Sequence, residues 1–548
     1  MLQPGLTSET LANRERCCGN IKKGFGMGKY LGIDASTQSM TGLVIDCESG
    51  RIGLEISLNF DEHFAAAYGI ENGVIDLGDG QVHSSPLMWA QALDLLFERL
   101  QDACDLSELD AVSGSGQQHG TVYLNDTAPE RLASLDPRSA LAGQLSDIFS
   151  RATAPVWMDT STTAQCREIE AQIGGRTELI RLTGNTAFER FSGPQIRKFW
   201  QQDPHGYAQT DCIALVSSYV ASLLAGQLVG IDAGDASGTN LMDIRRRCWS
   251  PRALRAAAPE LDDKLLPIPP ADAFVGAISP YFVARYGLSP SCLVAPFSGD
   301  NPSSLIGLGL VKPGRVALSL GTSDTLFACM DEPRSSELGE GAVFASPDGE
   351  HFMALICFLN GSLAREAVRD QYGLDWQGFT EWLVKTPPGN GGAQMLPYFS
   401  AEIVPHIPRP GVVRHASLEP DDVGANVRAV IEAQALSSRL HSEWMEVPVT
   451  SLSVTGGASA NTEILKVFAN VHGCPVHRFQ TTNSAALGAA LRARHLHLKA
   501  CGSPASWPDV VDPFTGAGDS TIAPDPGARA VYDQALEQYR KLEHGHAG

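Results

Sequence analysis

The sequence predicts an α/β protein built from two related domains. Three observations lead there. Short apolar strands alternate with amphipathic helices. A strand–polar turn–strand pattern over Tyr30–Asp46 returns over Gly314–Asp331. A third, glycine-rich turn within Ser451–Gly473 joins a strand to a helix.

Taken in order, "YLGIDASTQSMTGLVID" reads as strand, tight turn, strand, and "GRIGLEISLNF" adds a third strand. An aspartate that closes a buried strand is either a turn former or a site, and one occurrence does not decide between them. "SSPLMWAQALDLLFERL" is a helix: Ser85 suits its cap and Pro86 its first position. Trp89, Leu93, Leu96, Phe97 and Leu100 form its apolar stripe. The strand "LDAVSGSG" follows. In the second half, Ser319-Leu320-Gly321-Thr322-Ser323 lies over Ile33-Asp34-Ala35-Ser36-Thr37, and "HFMALICF" supplies a further strand. The helix after "TGGASAN" places Ile464, Val467, Phe468 and Val471 on one face. The joint between the domains is expected near 300–312. Residues 386–415 are rich in proline and glycine with interspersed apolar residues, which predicts an irregular connection packed on the second domain. Beyond about residue 500 the chain reads as loop, then a last helix over roughly 528–542 with Tyr532, Ala535, Leu536 and Tyr539 on one side.

Composition bounds the function. The 548 residues are 43% hydrophobic and 19% charged, a globular profile, and the net charge of −21 argues against a nucleic-acid scaffold. A phosphorylated small ligand needs only a few local donors. The 12 cysteines lack paired metal or redox spacing and read as thiols in a reducing compartment. No apolar run approaches the ~18 residues of a membrane span. The first stretch lacks a signal-peptide core and reads as a disordered tail. The expected compartment is the cytoplasm, with organellar import through that tail left open.

The chemistry sits in the three turns. Small residues between strands let backbone N–H groups approach an oxyanion, and Ser36, Thr37, Thr322 and Ser323 add hydroxyl donors. Two such hairpins facing each other would grip a polyphosphate, and Asp34 falls where a carboxylate could hold magnesium through water. Gly456, Gly457 and Ala458 leave room for a base or ribose at a helix start. Two decoys fail: "GFGMGK" has the wrong spacing for a P-loop, and "GSGQQHG" lacks the acidic partner of a dinucleotide fingerprint.

These segments resemble the FGGY family of carbohydrate kinases over roughly residues 29–495. "GIDASTQSMTGLVID" and "LSLGTSDTLF" are similar to its two phosphate hairpins, "TGGASAN" to its adenosine turn, and Gly299-Asp300-Asn301 to its catalytic segment. "SGSGQQHGTVY", "APVWMDTSTTAQC", "LTGNTAFERFSGPQI" and "FSGDNPSSL" most resemble the eukaryotic branch that phosphorylates D-xylulose. The resemblance implies two actin-like, ribonuclease H-like ATPase domains with a nucleotide and sugar cleft between them. It implies a tail over 1–28, a sugar-binding domain over 29–307, an ATP-binding domain over 308–497 and an extension over 498–548. ATP and Mg2+ are the implied cofactors and D-xylulose the partner, in a monomer or homodimer with neither nucleic acid nor membrane. Asp300 is then the general base, and His119, Arg190 and Asn301 hold sugar hydroxyls, with Gln118, Trp157 and Asp159 as second contacts. Asp34 is matched to magnesium. Ser36, Thr37, Gly321, Thr322 and Ser323 are matched to the phosphates, and Gly456, Gly457, Ala458, Asn461 and Trp376 to adenosine. Other readings stay open beside these. Asp300 and Asp159 could equally cap helices, His119 and Trp157 could be core, Arg190 a surface ion pair and Trp376 a packing residue. A kinase of ribulose, gluconate or glycerol, or a non-catalytic nucleotide-gated protein, is the alternative function.

Overall fold

A computed structural model describes residues 28–479, 483–515 and 521–546; the expected tail lies outside them but for Gly28. The described chain forms two compact units. The first runs through Val311 and adds Phe344–Glu350 and the stretch beginning at Asn483. The second holds Lys312–Val343, the stretch beginning at His351, and the last described residues.

In the first unit, β1 (Lys29–Ala35), β2 (Ser39–Asp46) and β3 (Arg51–Asn59) form an antiparallel meander. On its other side β1 runs parallel to β4 (Leu109–Gly116). Beyond β4 lie the short β5 (Gly276–Ala277) and β6 (Leu293–Val294), and β7 (Ser298–Gly299) pairs with the end of β4. Both faces are covered over β1, β2 and β4, so these strands are buried nearly throughout, whereas β3 is largely exposed. Leu31, Ile33, Ala35, Met40 and Val44 join a core with Trp89, Leu93, Leu96, Phe97 and Leu100 of the helix Pro86–Ala103. Ser85 is its cap residue without a side-chain cap bond. Tyr30, Leu43 and Ile45, offset by one, pack instead with Ala486, Leu487, Leu491 and Val510. The period of two thus places Asp34 on the Tyr30 face, at the strand end.

The second unit repeats the plan. β8 (Arg315–Leu320) pairs antiparallel with β9 (Asp324–Met330), which pairs antiparallel with β10 (Phe352–Phe358), while β8 runs parallel to β11 (Ser451–Thr455). The order β10–β9–β8–β11 matches β3–β2–β1–β4, so the duplicated strand–turn–strand units occupy the same topological place. β11 continues to β12 (Val476–Arg478) and β13 (Thr521–Ile522). The helix Thr462–His472 buries Ile464, Val467, Phe468 and Val471, and the last helix, Ala528–His546, buries Tyr532, Ala535, Leu536 and Tyr539. Residues 386–415 stay largely irregular yet bury Met395, Leu396, Tyr398 and Val404.

Residues from Asn483 to 497, within the domain expected over 308–497, pack with the first unit. The helix Ser484–Ala500 packs there on the helix Asp300–Gly307 through two glycines. A Cβ on Gly307 would lie 1.9 Å from the Ser484 carbonyl oxygen, and one on Gly488 the same distance from that of Ser303. Also, Trp507–Thr515 is a helix rather than loop, with Trp507, Val510 and Val511 buried in the first unit.

Candidate active site

Strand register assembles the first half of the site. Asp34 on β1 is the partner of Ser115 on β4, and the β7 residues Ser298 and Gly299 pair with Ser115 and Gly116. Asp34 and Asp300 therefore lie at the ends of two parallel tracks that flank β4, and ligand crevices form at the carboxyl ends of such strands. The Asp34 carboxylate accepts hydrogen bonds from the hydroxyls of Ser115, at 2.7 Å, and Ser36. Burial pushes its pKa up despite both donors.

Asp300 opens the helix Asp300–Gly307, and Gly299 is the cap residue, so the capping alternative fails. Its Oδ1 accepts the Asn301 backbone N–H at 2.8 Å and the Asn301 side-chain amide at 3.1 Å. That amide also donates to Gln118 Oε1 at 2.9 Å, which ties Gln118 to the same carboxylate. Desolvation and then the nearby Asp34 charge raise the Asp300 pKa to about 7, against the backbone donors that lower it. A carboxyl group with that pKa is poised to take up a proton near neutrality.

His119 lies just past β4 with a φ of 72°, in the left-handed region. Its Nδ1 is 2.8 Å from the Gly238 carbonyl oxygen and its ring stacks on Phe191 at 4.5 Å. Burial and the Arg190 charge hold its pKa down at about 3, so the ring is neutral. Nδ1 must then donate to the carbonyl, which leaves Nε2 as an acceptor. The Arg190 guanidinium sits 5.1 Å from the Phe188 ring centroid, so Phe188 and Phe191 hold the two side chains that the sequence assigned to a sugar.

Trp157 is 44% exposed, and its indole N–H donates to Thr37 Oγ1 at 2.8 Å. It is therefore a wall beside the first hairpin rather than core. Asp159 is different. It is fully buried, and its oxygens accept from the backbones of Ser161 and Val82 and the side chains of Ser161 and Gln195. A carboxylate so occupied frames its loop; it neither caps the following helix, whose cap residue is Thr162, nor has room for a hydroxyl contact.

The second unit carries a separate cavity of about 960 Å³. Gly321, Thr322, Trp376, Gly457, Ala458 and Asn461 line it, so the second hairpin and the third turn do come together. Gly456, with a φ of 86°, lets that turn lie on β8: a Cβ there would be 2.5 Å from the Leu320 carbonyl oxygen. A Cβ on Gly457 would meet nothing within 4 Å, which leaves open space at the turn. Trp376 is 42% exposed and capped on one face by the Arg369 guanidinium, 4.6 Å from the ring centroid. Asn461 has a second duty. Its oxygen caps the helix Thr462–His472 by accepting from Glu463 and Ile464, and its amide donates to Thr380. Ser323 continues the same loop. Sequence reasoning missed Arg365, which lies under this hairpin.

This geometry of two matched hairpins, a poised carboxylate and a roomy cavity agrees with the family comparisons. The profile for the FGGY family of carbohydrate kinases, N-terminal domain, matches residues 152–307, and that for the C-terminal domain matches 316–496. The chain belongs to the FGGY family of carbohydrate kinases. Among this FGGY kinase's relatives, xylulose kinase 2 of Arabidopsis thaliana is 43% identical over 514 residues, covering 90% of this chain and 91% of that protein. The xylulose kinase of Mus musculus is 41% identical over 556 residues, covering 98% and 96%. The crystal structure of xylulose kinase from Rhodospirillum rubrum, at 18% identity, shares the fold with a TM-score of 0.78 over 94% of this chain and 98% of that one. No described helix is long and apolar enough to cross a membrane.

Proposed function

We propose that this FGGY kinase transfers the γ-phosphoryl group of ATP to the terminal hydroxyl of D-xylulose. The observation that carries the chemistry is Asp300, a carboxyl group raised to about 7 at a strand end beside Asp34. The sugar assignment rests on the xylulose kinases that match nearly the whole chain at more than 40% identity.

In this reading Asp300 accepts the hydroxyl proton as the sugar oxygen attacks the γ-phosphorus. The bond from that phosphorus to the bridging oxygen breaks, and ADP leaves with the electron pair. Positioning does most of the work in such a transfer. His119 Nε2 accepts from a sugar hydroxyl and Arg190 donates to another oxygen. The hydroxyls of Ser36, Thr37, Thr322 and Ser323 hold phosphate oxygens, and the turn at Gly457 and Ala458, with Trp376 and Asn461, takes the adenosine.

Asp34 fits a magnesium ion. It is a hard oxygen donor, and magnesium commonly uses one or two carboxylates together with substrate phosphates and water. Bound there, the ion would neutralise phosphate charge. Ser36 and Ser115 orient the Asp34 carboxylate for it.

ADP release measured across D-xylulose, ribulose, gluconate and glycerol tests the reading. D-xylulose is expected to give the highest kcat/KM. A better substrate in that panel would overturn the sugar assignment, and turnover on none would overturn the kinase itself.

A further inference from the structure

The loop of the second hairpin has an orientation that its own sequence does not explain. The Gly321 carbonyl oxygen accepts the Ser362 backbone N–H at 2.8 Å and Arg365 Nη2 at 3.0 Å, and the Thr322 carbonyl oxygen accepts the Ser362 N–H at 3.1 Å. Both carbonyls are thus turned toward the start of the helix Ser362–Gln371. In a trans peptide the C=O and the following N–H point in opposite directions. The N–H groups of Thr322 and Ser323 must therefore face away from that helix. Two successive outward N–H groups make an anion-binding concavity.

Arg365 is the part of this arrangement that cannot be swapped locally. It is 1% exposed, and its guanidinium engages Asp324 twice, each bond 3.0 Å. It also donates to Gln434 Oε1 at 3.0 Å, and Gln434 donates in turn to the carbonyls of Asn360 and Gly361. Gly361 is needed bare: a Cβ there would lie 2.6 Å from the Thr322 carbonyl oxygen. Asp324 is the first residue of β9, so one planar fork joins the hairpin's carbonyl, its exit strand and the buried frame.

We propose that Arg365 is a positioning residue for the nucleotide: with Ser362 it locks the peptide planes at 321–323 so that their N–H groups face the phosphates. This rests on the ATP-dependent reading above. Lysine keeps the charge but cannot hold two carboxylate oxygens and a carbonyl in one plane.

The test pairs direct ADP titration calorimetry with steady-state kinetics. Arg365→Lys is expected to weaken ADP binding and raise the KM for ATP by about tenfold or more, with the KM for D-xylulose changed less than about twofold. Should that variant fail to fold, the double substitution Asp324→Asn with Arg365→Gln removes both buried charges together, and the same ADP loss is expected. Unchanged ADP affinity in a folded variant overturns the inference, as does a parallel rise in both KM values. Failure of both variants to fold also overturns it, because Arg365 would then serve the core alone. Absence of ADP binding by the unaltered protein would instead defeat the kinase reading beneath it.

Discussion

Asp300 carries two opposed demands, and both can be measured. As the proposed base it must be ionised, and its pKa of about 7 predicts that kcat/KM falls about tenfold per pH unit below that value. As a folded-state group its raised pKa works the other way. The folded chain binds this proton more tightly than the unfolded chain does, so the associated stability is full below the ordinary value of 3.8 and is lost as pH rises through about 7. Asp300→Asn removes that loss. The variant should have turnover reduced at least ~1,000-fold and yet melt higher than the unaltered protein at pH 8, by at most about 4 kcal/mol and less because the group keeps some exposure. The advantage should shrink at pH 5. A variant that melts lower at pH 8 would show that Asp300 is not desolvated as the structure has it. His119 has the opposite sign: its depressed pKa contributes stability above about 6.5 that is lost as pH falls toward about 3. Residue roles were the least legible level of the sequence. Asp159 and Asn461 bear acceptors that serve a loop or a cap as readily as a ligand, and only their hydrogen bonds separate the cases. Arg365, within "SLAREAVRD", looks like an ordinary charge on an exposed helix face until its partners at 324, 321 and 434 are known.

Among the elements, the helix Asp300–Gly307 does the positioning, and its seat depends on glycine. Gly307 and Gly488 allow backbone-to-backbone approach between this helix and Ser484–Ala500. Gly32 on β1 admits the latter helix in the same way, with a Cβ there 1.9 Å from the Ala486 carbonyl oxygen. The clashing atoms are backbone, so no rotamer change can relieve them. Gly488→Ala should therefore push the two helices apart, cost about 1–3 kcal/mol and lower kcat through displacement of Asp300. A thermal melt and initial rates check this; an unchanged melt with unchanged kcat would mean the contact is looser than described. Strands and helices with clean periodicity were readable in advance, because alternation and i, i+3, i+4 spacing are local signals. The helix Trp507–Thr515 was not, since Pro508 and Pro513 within "SWPDVVDPFT" look like loop punctuation. Nor was the place of Ser484–Ala500. An alanine-rich helix states that it will be buried but not against what, and its partners lie 180 residues earlier in the chain on the helix Asp300–Gly307 and farther still on β1.

For the molecule as a whole, the proposed reading divides the labour between the two units. Asp34, His119, Arg190 and Asp300 belong to one compact unit, and the cavity with Thr322, Trp376 and Gly457 belongs to the other. If the sugar is read by the first set and the nucleotide by the second, each ligand's contribution to stability must be removable without touching the other's. Gly457→Val is suited to this, because a Cβ at that position meets no protein atom within 4 Å and the variant should fold. It should nonetheless fill the space an adenosine would take. A saturating ligand at 100 times its Kd stabilises by about 2.7 kcal/mol, enough to shift a melt by several degrees. Gly457→Val is expected to lose the shift caused by ADP and retain that caused by D-xylulose, whereas His119→Ala does the reverse. Melts of both variants with each ligand alone decide the matter. Were one substitution to abolish both shifts, or ADP to stabilise Gly457→Val in full, the assignment of the cavity to the nucleotide would be wrong, and the phosphate donor would have to be sought elsewhere on the protein.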